Sequence, residues 1–111
     1  MIQAKLFLNP EGDLYGYSIS GHAGFSEEGF DIICSAVSVL AINTANALET
    51  LLHLNLDSDM KDGYLKVIIP SIKNGKKIKE AELLLKTFRL GLESIIESYG
   101  SGYLVLSIDQ N

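Results

Sequence analysis

His22 and Cys34 are the side chains in this sequence whose types best suit nucleophilic catalysis, and eleven residues separate them. A thiolate is the nucleophilic form of cysteine, and an imidazole in hydrogen-bond reach can take its proton and later deliver one to a leaving amine. Asp31 reads as a helix N-cap, which makes Cys34 the third helical position. There, unpaired backbone N–H groups and the positive end of the helix dipole favour a thiolate. The same residues also have plainer readings. A lone cysteine on an amphipathic helix serves as a small core hydrophobe, and His22 serves as a solvated loop residue. Asp31 has two roles open to it: capping the helix, or orienting His22 and stabilising its imidazolium.

Other candidates fit less well. Ser35 and Ser38 lack the strained Gly-x-Ser-x-Gly context of a hydrolase elbow, and read as helix hydroxyls. His53 lies too far along the same helix to join Cys34, roughly 28 Å at 1.5 Å per residue. That removes the third soft ligand a Cys/His zinc site would need, so no metal and no cofactor are expected. Gly21, Gly24 and Gly29 make the 21–30 loop conformationally permissive, and we expect it to order over a substrate. Gly21, Gly24 and Ser38 are the candidates for contacting that substrate. Glu27 and Glu28, on the same loop, either attract a basic partner or keep the loop soluble.

The elements around these residues follow from periodicity. Met1 to Leu8 alternates as a strand, Asn9 to Asp13 has turn chemistry, and Leu14 to Ser20 is a second strand, so the two form a hairpin. Ile33, Val37, Leu40, Thr44, Leu48 and Leu51 step by three and four, which predicts a helix from Ile32 to about Leu54. Asn55 to Gly63 reads as a polar link. Tyr64 to Ile69 is a third strand, stopped by Pro70, and Ser71 to Gly75 is a turn. Lys76 to Tyr99 is a second helix, with Ala81, Leu84, Leu85, Phe88, Leu92, Ile95 and Tyr99 as its core stripe and Glu82–Lys86 and Arg89–Glu93 as ion pairs on its wet side. Tyr103 to Ile108 is a fourth strand. The order β-β-α-β-α-β implies an α+β two-layer sandwich: a four-stranded mixed sheet with two helices on one face. The opposite sheet face would carry Phe7, Tyr64, Ile68, Tyr103 and Val105, apolar enough to suggest self-association or else scattered surface aromatics.

Composition narrows the class. At 111 residues the chain is expected to be a single domain, 1–111, able to bury a core without staples. Its net charge of −5 does not suit general phosphate binding, so neither nucleic acid nor a membrane is an expected partner. One cysteine cannot close an intrachain disulfide. The start of the chain lacks the basic residues and apolar run of a signal peptide, and polar residues interrupt the apolar stretch from Ile32 to Leu54. We therefore expect a cytoplasmic protein.

Gly21-His22-Ala23-Gly24, followed by Asp31-Ile32-Ile33-Cys34-Ser35-Ala36-Val37-Ser38, resembles the signature of the Prp cysteine proteases. The pattern fixes residue types and their separation, and the likeness extends over essentially the whole chain. Ile33 and Ser35 are conservative departures at tolerant positions. The resemblance implies a cytoplasmic, generally dimeric cysteine endopeptidase with Cys34 as nucleophile and His22 as general base and acid. Its substrate would be a precursor of large-subunit ribosomal protein L-twenty-seven, from which it removes a short N-terminal extension. The rival from another class is a noncatalytic ribosome-assembly adapter, which would have no use for a Cys–His pair. A redox sensor built on Cys34 is a third reading, without a resolving cysteine in the chain.

Overall fold

Period-two burial builds the sheet. In the computed structural model, which describes residues 1–21 and 28–110 and the side chains of all but 28–31 among these, β1 (Ile2–Leu8) buries Ile2, Ala4 and Leu6 and exposes Gln3 and Lys5. It pairs antiparallel with β2 (Leu14–Ser20). The intervening turn is tied by Asn9, a buried residue. Its Oδ1 accepts the Asp13 N–H at 2.9 Å, and its Nδ2 donates to the Ile72 carbonyl at 2.9 Å. The chain continues through α1 (Glu28–Thr50), β3 (Asp57–Lys61), β4 (Tyr64–Ile68), a short α2 (Pro70–Lys73), α3 (Lys79–Tyr99) and β5 (Leu104–Gln110). Strand order is β3-β4-β2-β1-β5, with β5 parallel to β1 and the other pairs antiparallel.

The expected two-layer α+β architecture with a mixed sheet is present, but the sheet has five strands rather than four. The added strand is β3, inside the segment read as a polar link. All five of its residues are exposed, so it carries no hydrophobic alternation to detect. Its local signal is the turn: Asp62-Gly63 joins Lys61 to Tyr64, which face each other in the ladder, and Gly63 has φ +75°. Asp-Gly between two paired residues is a favoured two-residue hairpin connection.

Both long helices cover one sheet face, and Tyr17 of β2 joins them. Its hydroxyl donates to the Ala41 carbonyl of α1 at 2.7 Å, and its ring lies 4.4 Å from that of Phe88 in α3. Burial pushes the Tyr17 phenol well above its ordinary range, so the group is a neutral donor. The α1 stripe is largely as expected: Ile33, Val37, Thr44 and Leu48 are buried, and Ala41 joins them. Leu51 and Tyr99, expected in the core stripes, are instead exposed: Leu51 falls just beyond the end of α1 and Tyr99 is the last residue of α3. On the wet side of α3 the pairs Glu82–Lys86 (2.9 Å) and Arg89–Glu93 (3.6 Å) form at the expected spacing. That helix starts at Lys79 rather than Lys76, since Ile78 is extended, and Pro70 to Lys73 forms a separate helical turn.

The open sheet face is less bare than its sequence implies. Phe7 and Ile68 are buried: Tyr15 stacks on Phe7 at 5.8 Å, and the Lys66 ammonium lies 5.7 Å from the Phe7 ring. Val105 stays exposed. Within the stretch Ile32 to Leu54, expected to be too polar to span a membrane, the helical part Ile32–Thr50 is long and apolar enough by length and composition alone. Its Ile33, Val37, Ala41 and Leu48 pack into the core beneath the sheet, as in a core helix of a globular domain.

Candidate active site

Cys34 projects from α1 as a half-buried side chain packed at the margin of the core, beside the buried Ile33 and Val37. Ser35 is exposed and Ser38 half-buried, one helical turn beyond Cys34 on the same side. Four residues of helix rise about 6 Å, so Ser38 marks where the Cys34 face of α1 meets the sheet. It lines a small cavity with Ile19 of β2, Tyr64 and Leu65 of β4 and Met60 of β3. The C-terminal end of β2 therefore lies against the middle of α1, about one turn beyond Cys34.

That end of β2 is held by Gly21. Its φ is +82°, and its N–H donates to the Gly63 carbonyl at 3.0 Å. A Cβ at this position would lie 2.5 Å from the Met1 carbonyl oxygen. Gly21 thus has a backbone reason for its identity: the chain turns in a left-handed conformation while wedged against the start of β1. His22 follows immediately. His22 and Gly24 lie outside the described residues, as do the greater part of the 21–30 loop and the side chain of Asp31.

The start of the helix differs from expectation. α1 begins at Glu28, so Asp31 stands inside its first turn rather than at its N-cap, and Cys34 is the seventh helical residue rather than the third. Three glycines within ten residues and an N-cap side chain at Asp31 predict a loop as far as Phe30, yet the helix runs through Gly29. The correction has a chemical consequence. The dipole acts mainly within the first turn, and by the second turn each N–H is bonded to the carbonyl four residues back. The backbone of α1 near Cys34 therefore contributes less to thiolate or oxyanion stabilisation than an N-terminal position would. His53 falls beyond the end of α1, with φ +54° and an exposed side chain.

The cavity beside Ser38 was not foreseen, because one wall is Met60 of the unrecognised β3. The Asp62-Gly63 turn was the signal that could have found it.

Residues 1–103 match the family described as Cysteine protease Prp. The chain belongs to the cysteine protease Prp family. It is accordingly a cysteine protease, which sets the noncatalytic adapter aside, and its one cysteine is Cys34. The ribosomal processing cysteine protease Prp of Bacillus subtilis is 28% identical over 101 residues, spanning 89% of this chain and 90% of the relative. Among solved structures, the Staphylococcus aureus ribosomal processing protease Prp in complex with a substrate peptide superposes with a TM-score of 0.85 at 26% identity, covering 98% of this chain and 100% of the other. The same S. aureus protein with a covalently linked product peptide gives a TM-score of 0.80 at 28% identity, with 98% and 100% coverage. The Prp fold thus carries peptide in relatives that share this chain's whole sheet-and-helix frame.

Proposed function

We propose that this Prp protein is a cytoplasmic, homodimeric endopeptidase. It removes the short N-terminal extension of a ribosomal protein precursor, specifically large-subunit ribosomal protein L-twenty-seven. The ribosomal substrate class is supported by the relatives named as ribosomal processing proteases. The residue assignment is supported by the packing of the β2 end, which His22 follows in sequence, against the middle of α1 at Ser38, one turn beyond Cys34.

In this mechanism His22 accepts the Cys34 proton, and the thiolate attacks the scissile carbonyl. The tetrahedral intermediate collapses as imidazolium protonates the departing amine, leaving a thioester on Cys34. Water, deprotonated by His22, then releases the new carboxylate and restores the thiol. Because Cys34 lies in the second turn of α1, the imidazole carries most of the work of generating thiolate. Asp31, inside the first turn, is the orienting candidate for that imidazole. Gly21 sets the path of the chain into His22, and Gly24 and Ser38 complete the set of candidate substrate contacts. The net charge of −5 suits a basic protein partner and not nucleic acid.

The test is incubation of purified protein with the extended precursor, read by product mass. Wild type yields the truncated protein, whereas Cys34→Ala and His22→Ala each lower kcat by at least about a thousandfold while precursor binding persists. Normal cleavage by Cys34→Ala would refute the assignment.

A further inference from the structure

A larger concavity lies on the open face of the sheet, away from Cys34. Alternation shows which side it is on. Tyr17 meets α1, and its ladder partner Val67 shares that side, so Lys66 and Ile68 face the other way. On β3, Ser58 and Met60 face α1, so Asp57 and Asp59 face the open side. The cavity on this side measures about 400 Å³, which falls among small-ligand sites of ~300–1,000 Å³. One ladder row crosses it: Asp109, Phe7, Gly16, Ile68 and Asp57 stand side by side on five strands. Gly16 keeps the floor low. A Cβ there would run into the Val67 carbonyl oxygen and lie 2.9 Å from Ile68 Cδ1, so the isoleucine leans across the gap.

The charged groups around this cavity do not pair with one another. Lys66 stands opposite Asp59 in the ladder, the place for a cross-strand ion pair. Yet its ammonium lies 5.7 Å from the centroid of Phe7, and Asp59 meets Lys61 instead, at 3.8 Å. Lys73, on α2, keeps the same 5.7 Å from Tyr15, whose ring stacks on Phe7. Among the described residues no salt bridge joins Lys66, Lys73, Asp57 or Asp109 to a partner. A ring face engages one side of an ammonium, which has three N–H donors, so both lysines keep donors for a ligand. Two ammoniums held over neighbouring rings in one cavity suit an anionic group. The three aspartates oppose a purely anionic guest and favour one that carries a cation as well. Buried Phe7 and Ile68 give an apolar body something to lie on.

We propose that this cavity binds the C-terminal end of a short peptide. The α-carboxylate lies between Lys66 and Lys73, an apolar last side chain rests on Ile68 above Gly16, and a nearby α-ammonium turns to Asp57 and Asp59 on β3. Capture of a chain end depends on a carboxylate that an uncut chain lacks at that residue. Peptide-bond hydrolysis exposes such a carboxylate, and the removed extension is a short peptide that bears it. The guest is therefore product and not precursor. In naming the product the inference rests on the endopeptidase reading; the binding site itself does not.

The probe is the dipeptide Ala-Phe, titrated into isotope-labelled wild-type protein and followed by backbone amide NMR shifts. Two controls are the same dipeptide amidated at its C-terminus and the same dipeptide acetylated at its N-terminus. Ala-Phe is expected to shift the amides of Gly16, Lys66 and Ile68 saturably. Amidation weakens binding by about tenfold or more, as does combining Lys66→Gln with Lys73→Gln, since each removes charge-assisted hydrogen bonds. Both lysines are exposed, so the double variant keeps the wild-type urea midpoint. Acetylation weakens binding less, by removing the partner of Asp57 and Asp59. Equal binding of the free and amidated peptides would overturn the site. So would shifts confined to Ser38, Met60 and their neighbours, which would place the peptide on the catalytic side alone. Shifts at Gly16 and Ile68 that follow protein concentration and ignore the peptide would assign the face to a second copy of the chain instead. Normal cleavage by Cys34→Ala is a separate failure: it removes the catalytic assignment and the product as the guest's source, while Ala-Phe binding still stands or falls on its own.

Discussion

A single glycine shows how narrowly the residues beside the candidate site are constrained. Gly21 combines φ +82° with a steric wall, the Met1 carbonyl oxygen 2.5 Å from where a Cβ would stand. Replacing it with alanine forces both a disfavoured dihedral and a shift of the β2 end away from β1, at a cost of about 1–3 kcal/mol. Because His22 is the next residue, the same shift displaces the proposed base. Gly21→Ala is therefore expected to lower the urea midpoint and to lower kcat more than stability loss alone explains. Measuring cleavage well below the unfolding transition checks this. Unchanged kcat in a destabilised variant would mean that His22 is positioned by something other than Gly21. Tyr17 works in the opposite sense: its buried hydroxyl holds the Ala41 carbonyl at 2.7 Å, and it organises helices rather than chemistry.

At the scale of elements, the crossing of α1 and α3 fixes how α1 lies on the sheet, and with it the height of Cys34 above the β2 end. Gly91 allows that crossing. A Cβ there would meet the Leu40 side chain at 2.9 Å, and the far end of a leucine can move to admit one methyl but not a branched group. Gly91→Val is expected to cost about 1–3 kcal/mol by wedging the helices apart. Gly91→Ala should cost much less, because its gain in helix propensity offsets the leucine's adjustment. Thermal and urea unfolding of the two variants decides the point: equal loss in both would show that Leu40 cannot yield. The β3–β4 hairpin is the second element that matters to the site. Its Gly63 carbonyl accepts the Gly21 N–H at 3.0 Å, so the hairpin that walls the cavity beside Ser38 also anchors the strand that leads to His22.

At the scale of the whole molecule, one sheet face is sealed by helices and the other is open but partly self-covered. Phe7, Tyr15 and Ile68 are buried in the single chain, with Lys66 and Lys73 each 5.7 Å from a ring centroid. Less apolar surface is left for self-association than the strand sequences imply. What remains on or near this face includes the exposed Val105 and half-buried Tyr64. The proposed homodimer is expected to sediment at twice the 12.1 kDa chain mass at micromolar concentration. Val105→Glu should shift it toward monomer if the open face is the contact. Sedimentation of wild type as a monomer throughout would remove the dimer from the proposal. Val105→Glu sedimenting as a dimer would move the contact to another surface.

The sequence by itself determined the family, the two-layer architecture and the identity of the nucleophile candidate. These rest on local information: hydrophobic period, the Gly21–Gly24 and Asp31–Ser38 motifs, and a cysteine with no second cysteine to pair with. Core positions such as Val37, Leu48, Leu85 and Phe88 were legible because each repeats at helical spacing. Tertiary structure alone decided the rest. β3 exists because β4 offers it a ladder, not because Asp57 to Lys61 alternates, so a fully exposed strand left no periodic trace. The start of α1 moved to Glu28, through a glycine whose intrinsic propensity argues against helix, since such weak preferences yield to context. The cavity beside Ser38 needed the first of these, because Met60 of β3 is one of its walls. A cleft is the gap between elements that pack imperfectly, and how far a helix falls short of a sheet edge is written in no single segment of chain.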